Sequence, residues 1–508
     1  MQEVPWLWTL IIFCWNNFTI LIVFLILFVL LLDHVKRRTS WSHYPPGPSG
    51  LPFLGNLLQF DINNIFEDIE QKRKEFGAAF SVQLGWTNIV VLNGYELIRE
   101  TFGPKSDVYL DRLLIPFLHT LGYARKKEGL FFASYSRGWK EQKKFLHLTW
   151  KRFGVGKKSL EQNITEEAQY LCSEFEQKEG NPFNPQILLA NAVNNVICIL
   201  TFGERFNYSD EKFLKLMQLT DELLKTVNSI LFQVVSMIPG MSYISRGPHC
   251  KVVKCYQEIQ VMLREIVNEH KDSRDPAFAR DFIDAFLEET EKTKGDPDTS
   301  FNEDNLLILN VELFIGGTLS TAATLQWGLL FMVLYPDIQK KVHKEIDMVL
   351  GRNKWPITEN QANMHYTNAV VHEIHRYADI TPLTIPYLMR KDTEILGFFL
   401  PKKTLVVPNL SSVLKDETMW EKPFQFYPEH FLDADGHFVK QEAFLPFSLG
   451  HRTCPGEQLT RMEIFIFFTS LLQNFTFCIP DGQPRPQEDS EYNLARFPHA
   501  FEICAISR

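Results

Sequence analysis

Between Leu306 and Phe331 the chain is apolar on nearly every face of a helix. A surface helix carries one apolar stripe, whereas a helix apolar all round must be enclosed by other elements. The fold must therefore supply several helices to wrap a central one. A chain of 508 residues that is 45% hydrophobic and 13% aromatic has the material for this. The stretch 302–334 reads as the central helix, opened by a capping box at Ser300-Phe-Asn-Glu303. Gly316-Gly317 lies inside it. Two interior glycines cost about 2 kcal/mol relative to alanine. Such a cost is tolerated where something must approach the backbone closely, or where helices pack tightly.

Helical periodicity recurs at 62–76, 94–103, 137–153, 158–177, 183–201, 211–226, 249–271, 336–350, 361–377 and 457–472. Short strand-like runs lie at 79–84, 88–92, 393–397 and 404–407. No internal repeat or second linker interrupts the middle of the chain. The pattern predicts a mostly α protein with minor β, with residues 60–508 as one large domain.

Residues 6–32 are nearly all apolar, broken only at Asn16-Asn17, and from about Leu10 the run is long enough to cross a bilayer. Lys36, Arg37 and Arg38 follow, with no small-residue cleavage site. Residues 1–38 thus read as a retained single-pass anchor with a basic stop, which leaves the bulk of the chain cytosolic. Tyr44-Pro-Pro-Gly-Pro48 makes 39–59 a stiff Pro-rich hinge leading into the globule. The net charge of −9 excludes a chain-wide basic footprint for nucleic acid. Eight cysteines without a C-x-x-C exclude a zinc ribbon, argue against a disulfide framework and fit a reducing compartment.

The segment that carries chemistry is Phe447-Ser-Leu-Gly450-His-Arg452-Thr-Cys454-Pro-Gly456. A metal-bound thiolate needs an accessible sulfur, shielding from water and N–H donors that tune it. Glycines let the backbone fold around Cys454, and the helical run from Glu457 places a helix N-terminus beside the anion. His372-Glu373-x-His375 is a decoy for a zinc helix, because its histidines stand at i, i+3 and that motif needs i, i+4. Glu373 with Arg376 makes a better ion pair.

The Phe447–Gly456 segment closely resembles the haem-binding loop of the cytochromes P-450, the haem-thiolate monooxygenases. Phe447, Gly450, Arg452, Cys454 and Gly456 fall at the family's positions. Glu373-Ile-His-Arg376 resembles its E-x-x-R helix, and Pro428-Glu-His-Phe431 the segment after it, with His430 where Arg is commoner. The run 409–438, Lys157 to Gln162 and Gln483-Pro-Arg-Pro look most like vertebrate microsomal family 2, subfamily D. The resemblance implies a single haem-binding domain behind a membrane anchor, with haem b on Cys454 and contacts to it from Gly316 and Gly317. It also implies residence in the endoplasmic reticulum membrane and electrons from NADPH through NADPH-cytochrome P-450 reductase, with cytochrome b5 as a further partner. The product is a lipophilic xenobiotic, drug, fatty acid or steroid carrying one oxygen atom from O2.

Three departures from the family bear on mechanism. In the oxygen-binding helix Leu319 replaces the usual acid and Ser320 the usual Thr, followed by Thr321. Proton delivery during oxygen activation therefore rests on a hydroxyl without the methyl that fixes its rotamer. The propionate-binding W-x-x-x-R appears as Trp139-x-x-x-Lys143, a point charge in place of a fork. Tyr387 stands where relatives carry Arg or His. By the same resemblance Glu312, Phe131 and Leu494 line the substrate pocket. Arg137, Lys140, Lys144, Lys151 and Arg152 form a cationic face suited to an acidic electron donor. Two alternatives stay open on the sequence: a peroxide isomerase or dehydratase on the same fold, and a non-catalytic haem binder.

Overall fold

The computed structural model describes residues 18, 20–33, 35, 43–61, 64–85, 87–103, 106–113, 115–123, 129–227, 229, 232, 247–491 and 495–508. Leu494, residues 1–17 and 36–42, and most of the apolar run 230–244 lie outside them. Residues Ile20–Asp33 form helix α1, whose apolar side chains from Ile20 to Val29 are exposed. Its length falls short of a bilayer crossing by itself.

The chain divides into two compact units. One joins residues up to Asn93 with Leu388–Pro408, and the other joins Gly94–Tyr387 with Asn409–Arg508. The first contains helix α2 (Ile65–Phe76) and strands β1 (Ala79–Leu84) and β2 (Thr87–Leu92), which form an antiparallel pair from Ala79↔Leu92 to Leu84↔Thr87. Strands β4 (Thr393–Ile395) and β5 (Phe398–Leu400) form a separate small hairpin. Strand β6 (Leu405–Pro408) pairs parallel to β2 with Ile89 opposite Leu405. This long-range pairing brings 388–408 into the unit, and nothing in local periodicity announces it. The Pro-rich segment is laid down on β1. Pro46 O accepts from Ser81 N at 3.0 Å, and a Cβ on Gly47 would stand 1.9 Å from Ser81 O. Only glycine fits such an approach.

The second unit is helical. It runs through α3 (Tyr95–Phe102), α4 (Pro116–Thr120), α5 (Arg137–Arg152), α6 (Lys158–Glu176), α7 (Gln186–Phe202), α8 (Glu211–Val227), α9 (Pro248–Ser273) and α10 (Phe282–Lys292) to the central α11 (Glu303–Leu334). After it come α12 (Pro336–Val349), α13 (His365–Ala378), α14 (Leu410–Leu414) and α15 (Glu457–Asn474). Helix α11 is buried along almost its whole length, as its pattern requires. It has the length and hydropathy of a membrane span, but it is the core of this unit. Its N-cap is Asn302, whose side chain accepts from Asn305 N, rather than Ser300. The Ser300 hydroxyl instead accepts from Gln142 Nε2 at 2.9 Å, so a contact to α5 displaces the expected cap. Helix α10 was not expected, although Asp281 caps it by accepting from Asp284 N.

Glu373 and Arg376 on α13 are both fully buried. Two guanidinium nitrogens reach the two carboxylate oxygens at 2.7 Å each. The same guanidinium donates to Leu414 O, Pro423 O and Gln425 O at 2.8 Å. Glu373 also accepts from Tyr427 N at 2.8 Å. His430 completes the cluster: its Nε2 accepts from Lys422 N at 3.0 Å, so the ring proton lies on Nδ1, 3.3 Å from both Glu373 oxygens. A neutral histidine thus satisfies the acid. Removing one partner of a buried pair costs about 3–5 kcal/mol because the other charge stays behind. Arg376→Ala is expected to lose stability of that order and Arg376→Lys to recover only part of it, read from urea unfolding midpoints of the haem-loaded protein.

Candidate active site

The loop after His437 is folded back on itself ahead of α15. Cys454 N donates to Phe447 O at 3.0 Å. The reversal uses two left-handed residues, Ser448 (φ 62°) and Gly450 (φ 80°), and the second explains a glycine that side-chain chemistry does not. The Phe447 ring lies 5.3 Å from His375 and beneath the Arg461 guanidinium. Gly456 caps α15, and its N–H and that of Glu457 point at the Cys454 sulfur. Burial raises the thiol's pKa, while these two donors lower it. Cys454 is nevertheless an exposed residue. An exposed residue whose thiol is crowded by protein atoms sits in a recess of the surface.

Helix α11 contributes a second wall. Residues 315–320 are half-buried in the middle of a helix buried on both sides of them. A Cβ on Gly316 would lie 2.7 Å from the Phe131 ring, and one on Gly317 would lie 2.3 Å from Ile197 Cδ1. The glycines thus admit these two side chains against the helix. The hydroxyls that follow diverge. Ser320 Oγ is half-buried and donates to Gly316 O at 3.3 Å, a weak bond within its own helix. Thr321 is fully buried, with its Oγ1 3.4 Å from Thr460 of α15.

A cationic corner forms around Trp139 on α5. The Arg452 guanidinium sits 4.1 Å over the indole and the Lys143 ammonium 5.3 Å from it. Arg452 donates to Leu110 O, Leu130 O and Ala133 O, and Lys143 donates to His451 O. Burial and the neighbouring Arg452 both lower the Lys143 pKa. The buried Trp139 Nε1 has no hydrogen-bond partner. Two cations and an orphan N–H gathered beside the recess are a donor set for carboxylates. Arg112, which the sequence reading missed, is buried with its guanidinium 4.2 Å over Tyr387 and an Nε without partner. A single arginine between Asp111 and Leu113 gave no pattern to find it by. The donor set, the apolar walls and the sulfur fit haem b, a flat apolar ring with two acids and a thiolate-binding metal.

Glu312 is buried one turn before Gly316 and faces Tyr123 and residues 129–131. It accepts from Leu130 N at 2.6 Å, Phe131 N at 3.2 Å and Tyr123 Oη at 3.3 Å. Burial outweighs these donors and pushes its pKa up to about 8. Of the two histidines of the zinc decoy, His372 donates from Nδ1 to Asn368 O and accepts at Nε2 from Arg461, and burial holds it neutral, while the His375 Nε2 is buried without a hydrogen-bond partner. On α5, Arg137 pairs with Glu141 and Asp296, and Arg152 with Glu288. Lys140, Lys144 and Lys151 are exposed on the same helix.

A thiol under a helix N-terminus, together with a glycine-notched central helix and a cationic corner, fits a haem-thiolate protein. The chain belongs to the cytochrome P450 family, whose profile matches residues 45–505. Within it the chain falls in family 2, subfamily D. It is 47% identical to cytochrome P450 2D15 of Canis lupus familiaris over 484 residues, 95% of this chain and 97% of that one. It is likewise 47% identical over 490 residues to cytochrome P450 2D6 of Homo sapiens and to cytochrome P450 2D14 of Bos taurus, in each case 96% of this chain and 98% of the relative. It is accordingly a monooxygenase that carries haem b, takes NADPH-derived electrons from a redox partner and oxidises lipophilic compounds.

The raised Glu312 pKa has a consequence for stability. From its ordinary value of 4.5 up to about 8 the folded chain holds a proton that the unfolded chain has released. Stability therefore falls as pH rises through that window. The contribution is fully present below about pH 4.5 and gone above about pH 8. Glu312→Gln keeps an acceptor without the titration, so the drop in unfolding midpoint between about pH 6 and about pH 8 should be smaller in the variant than in the parent.

Proposed function

We propose that the Cys454 thiolate would bind the haem iron and that Trp139, Lys143 and Arg452 would hold the propionates. Phe447, Gly450 and Gly456 shape the loop, while Gly316 and Gly317, which admit Phe131 and Ile197 against the helix, would set the haem's distance from it through their backbone. The observation that carries this reading is Cys454, an exposed residue whose thiol is crowded by protein atoms, with the Gly456 and Glu457 N–H groups aimed at it. Those donors and the helix end favour the anion over the thiol. The bound haem supplies oxygen activation and insertion of one oxygen atom into the substrate, with the thiolate favouring O–O cleavage.

The chain's own residues bind, orient and deliver protons. Glu312 takes the backbone N–H groups of Leu130 and Phe131, and so fixes the Phe131 ring against Gly316 as a pocket wall. Ser320 is the proton-delivering hydroxyl, with Thr321 behind it. To act, Ser320 must leave its bond to Gly316 O, and no β-methyl restricts where it turns. The exposed lysines of α5 suit an acidic surface of NADPH-cytochrome P-450 reductase, and of cytochrome b5. Residues 1–38 anchor the protein in the endoplasmic reticulum membrane by one pass, 39–59 lead into the globule, and 60–508 form the cytosolic catalytic domain, which takes lipophilic substrate through the lipid.

Cys454→Ser is expected to abolish the ferrous–CO band near ~450 nm that marks thiolate ligation. Survival of the band in the variant overturns the ligand assignment. Proton delivery is tested by stoichiometry of NADPH, peroxide and product with one turned-over substrate. Ser320→Thr should raise product per NADPH and lower peroxide, and Ser320→Ala should do the reverse. Equal coupling in all three proteins would assign the proton to ordered water.

A further inference from the structure

Away from this site, two cysteines face one another. Strand β7 (Phe475–Cys478) leaves the end of α15 and pairs antiparallel with β10 (Cys504–Ser507), with Cys478 directly opposite Cys504. Phe475, Phe477 and Ala505 point to the core, while Thr476, Cys478 and Ile506 are exposed, so the two thiols share the outer face of the ribbon. Arg508 N donates to Asn474 O, whereas Phe477 uses both backbone groups on Gln339. The alternation of an antiparallel ladder then makes Cys478 and Cys504 a hydrogen-bonded pair, with Cα atoms about 5.5 Å apart. That separation lies in the range a disulfide spans. The Cys478 thiol is near enough to disfavour the charged form of Cys504. Cys478 is exposed, whereas Cys504 is 8% exposed.

We propose that Cys478 and Cys504 are a reversible redox pair that closes to a disulfide on oxidation by a peroxide. The accessible Cys478 sulfur attacks one peroxide oxygen, the O–O bond breaks, and Cys478 becomes a sulfenic acid as one water (or alcohol) leaves. The Cys504 sulfur then displaces that oxygen as a second water, forming the S–S bond. Two thiols lose two electrons and two protons, and the peroxide gains them. Burial first, then Cys478 and the acids Asp481 and Glu502, raises the Cys504 thiol, so Cys504 acts as the resolving partner. Because Cys478 stays on the surface, a dithiol can reopen the bridge. The closed bridge forms a covalent loop around residues 479–503, the segment that includes Leu494. Among the other described cysteines, Cys172, Cys198 and Cys255 are buried, Cys250 is half-buried and Cys454 is exposed, and none of them is a cross-strand partner of another.

The test uses the full-length, haem-loaded protein exposed to hydrogen peroxide, alkylated with N-ethylmaleimide and digested without reductant. The expected result is joint loss of alkylation at Cys478 and Cys504, with a linked pair of peptides two mass units lighter than their sum and alkylation restored by dithiothreitol. Cys504→Ser should leave Cys478 as a trappable sulfenic acid, and Cys478→Ser should leave Cys504 alkylatable after the same exposure. Full alkylation of both thiols in the parent after peroxide overturns the proposal. So does oxidation of Cys478 alone or its linkage to any other cysteine.

Discussion

The site depends on a charge pair that touches no water. Arg376 gives two donors to Glu373 and three more to the carbonyls of Leu414, Pro423 and Gln425. A buried guanidinium that loses any of these leaves an unpaired acceptor or an uncompensated charge. The pair therefore dictates the path of the irregular chain from 414 to 430 with the precision of a hydrogen-bond network. That chain has little regular structure of its own, and it leads directly into the loop that presents Cys454. His430 belongs to this logic. Its Nε2 is occupied by the Lys422 N–H, which fixes the tautomer that lets Nδ1 serve Glu373 without adding a second positive charge.

The site is built from opposed electrostatic demands. Burial pushes the Cys454 thiol towards its neutral form, and two helix-end N–H groups pull it back. Burial and Arg452 work against the charge on Lys143. Each group is held in an environment that an added partner would relieve, by a metal at the sulfur and by carboxylates at the cations. A porphyrin with two acids and an iron would satisfy both demands at once. Glu312 is settled differently: its oxygens are taken by backbone N–H groups of the loop carrying Phe131, so its first effect on any ligand is through the position of that ring.

Much of this was legible in the sequence. The apolar periodicity of 302–334 required an enclosed helix, because burying that many apolar faces is a property of composition and spacing alone. The Phe447–Gly456 pattern located the thiol because its glycines, its arginine and the following helix sit within ten consecutive residues. Glu373 and Arg376 could be paired from their i, i+3 spacing. Helix boundaries fell within a few residues for the same reason, since periodicity is local.

Tertiary structure decided whatever depends on residues far apart in the chain. Asn302 rather than Ser300 caps α11, because Gln142 arrives from α5 to claim the Ser300 hydroxyl. Gly316 and Gly317 are required by Phe131 and Ile197, whose approach no spacing rule encodes. Trp139, Lys143 and Arg452 become one cationic corner, and Arg112 stacks on Tyr387, only when more than 250 residues of chain are folded back. The pairing of β2 with β6 and of Cys478 with Cys504 has the same origin. Local spacing specifies which face of an element is apolar and where it ends. Which distant side chain meets that face is set by the packing of the whole core.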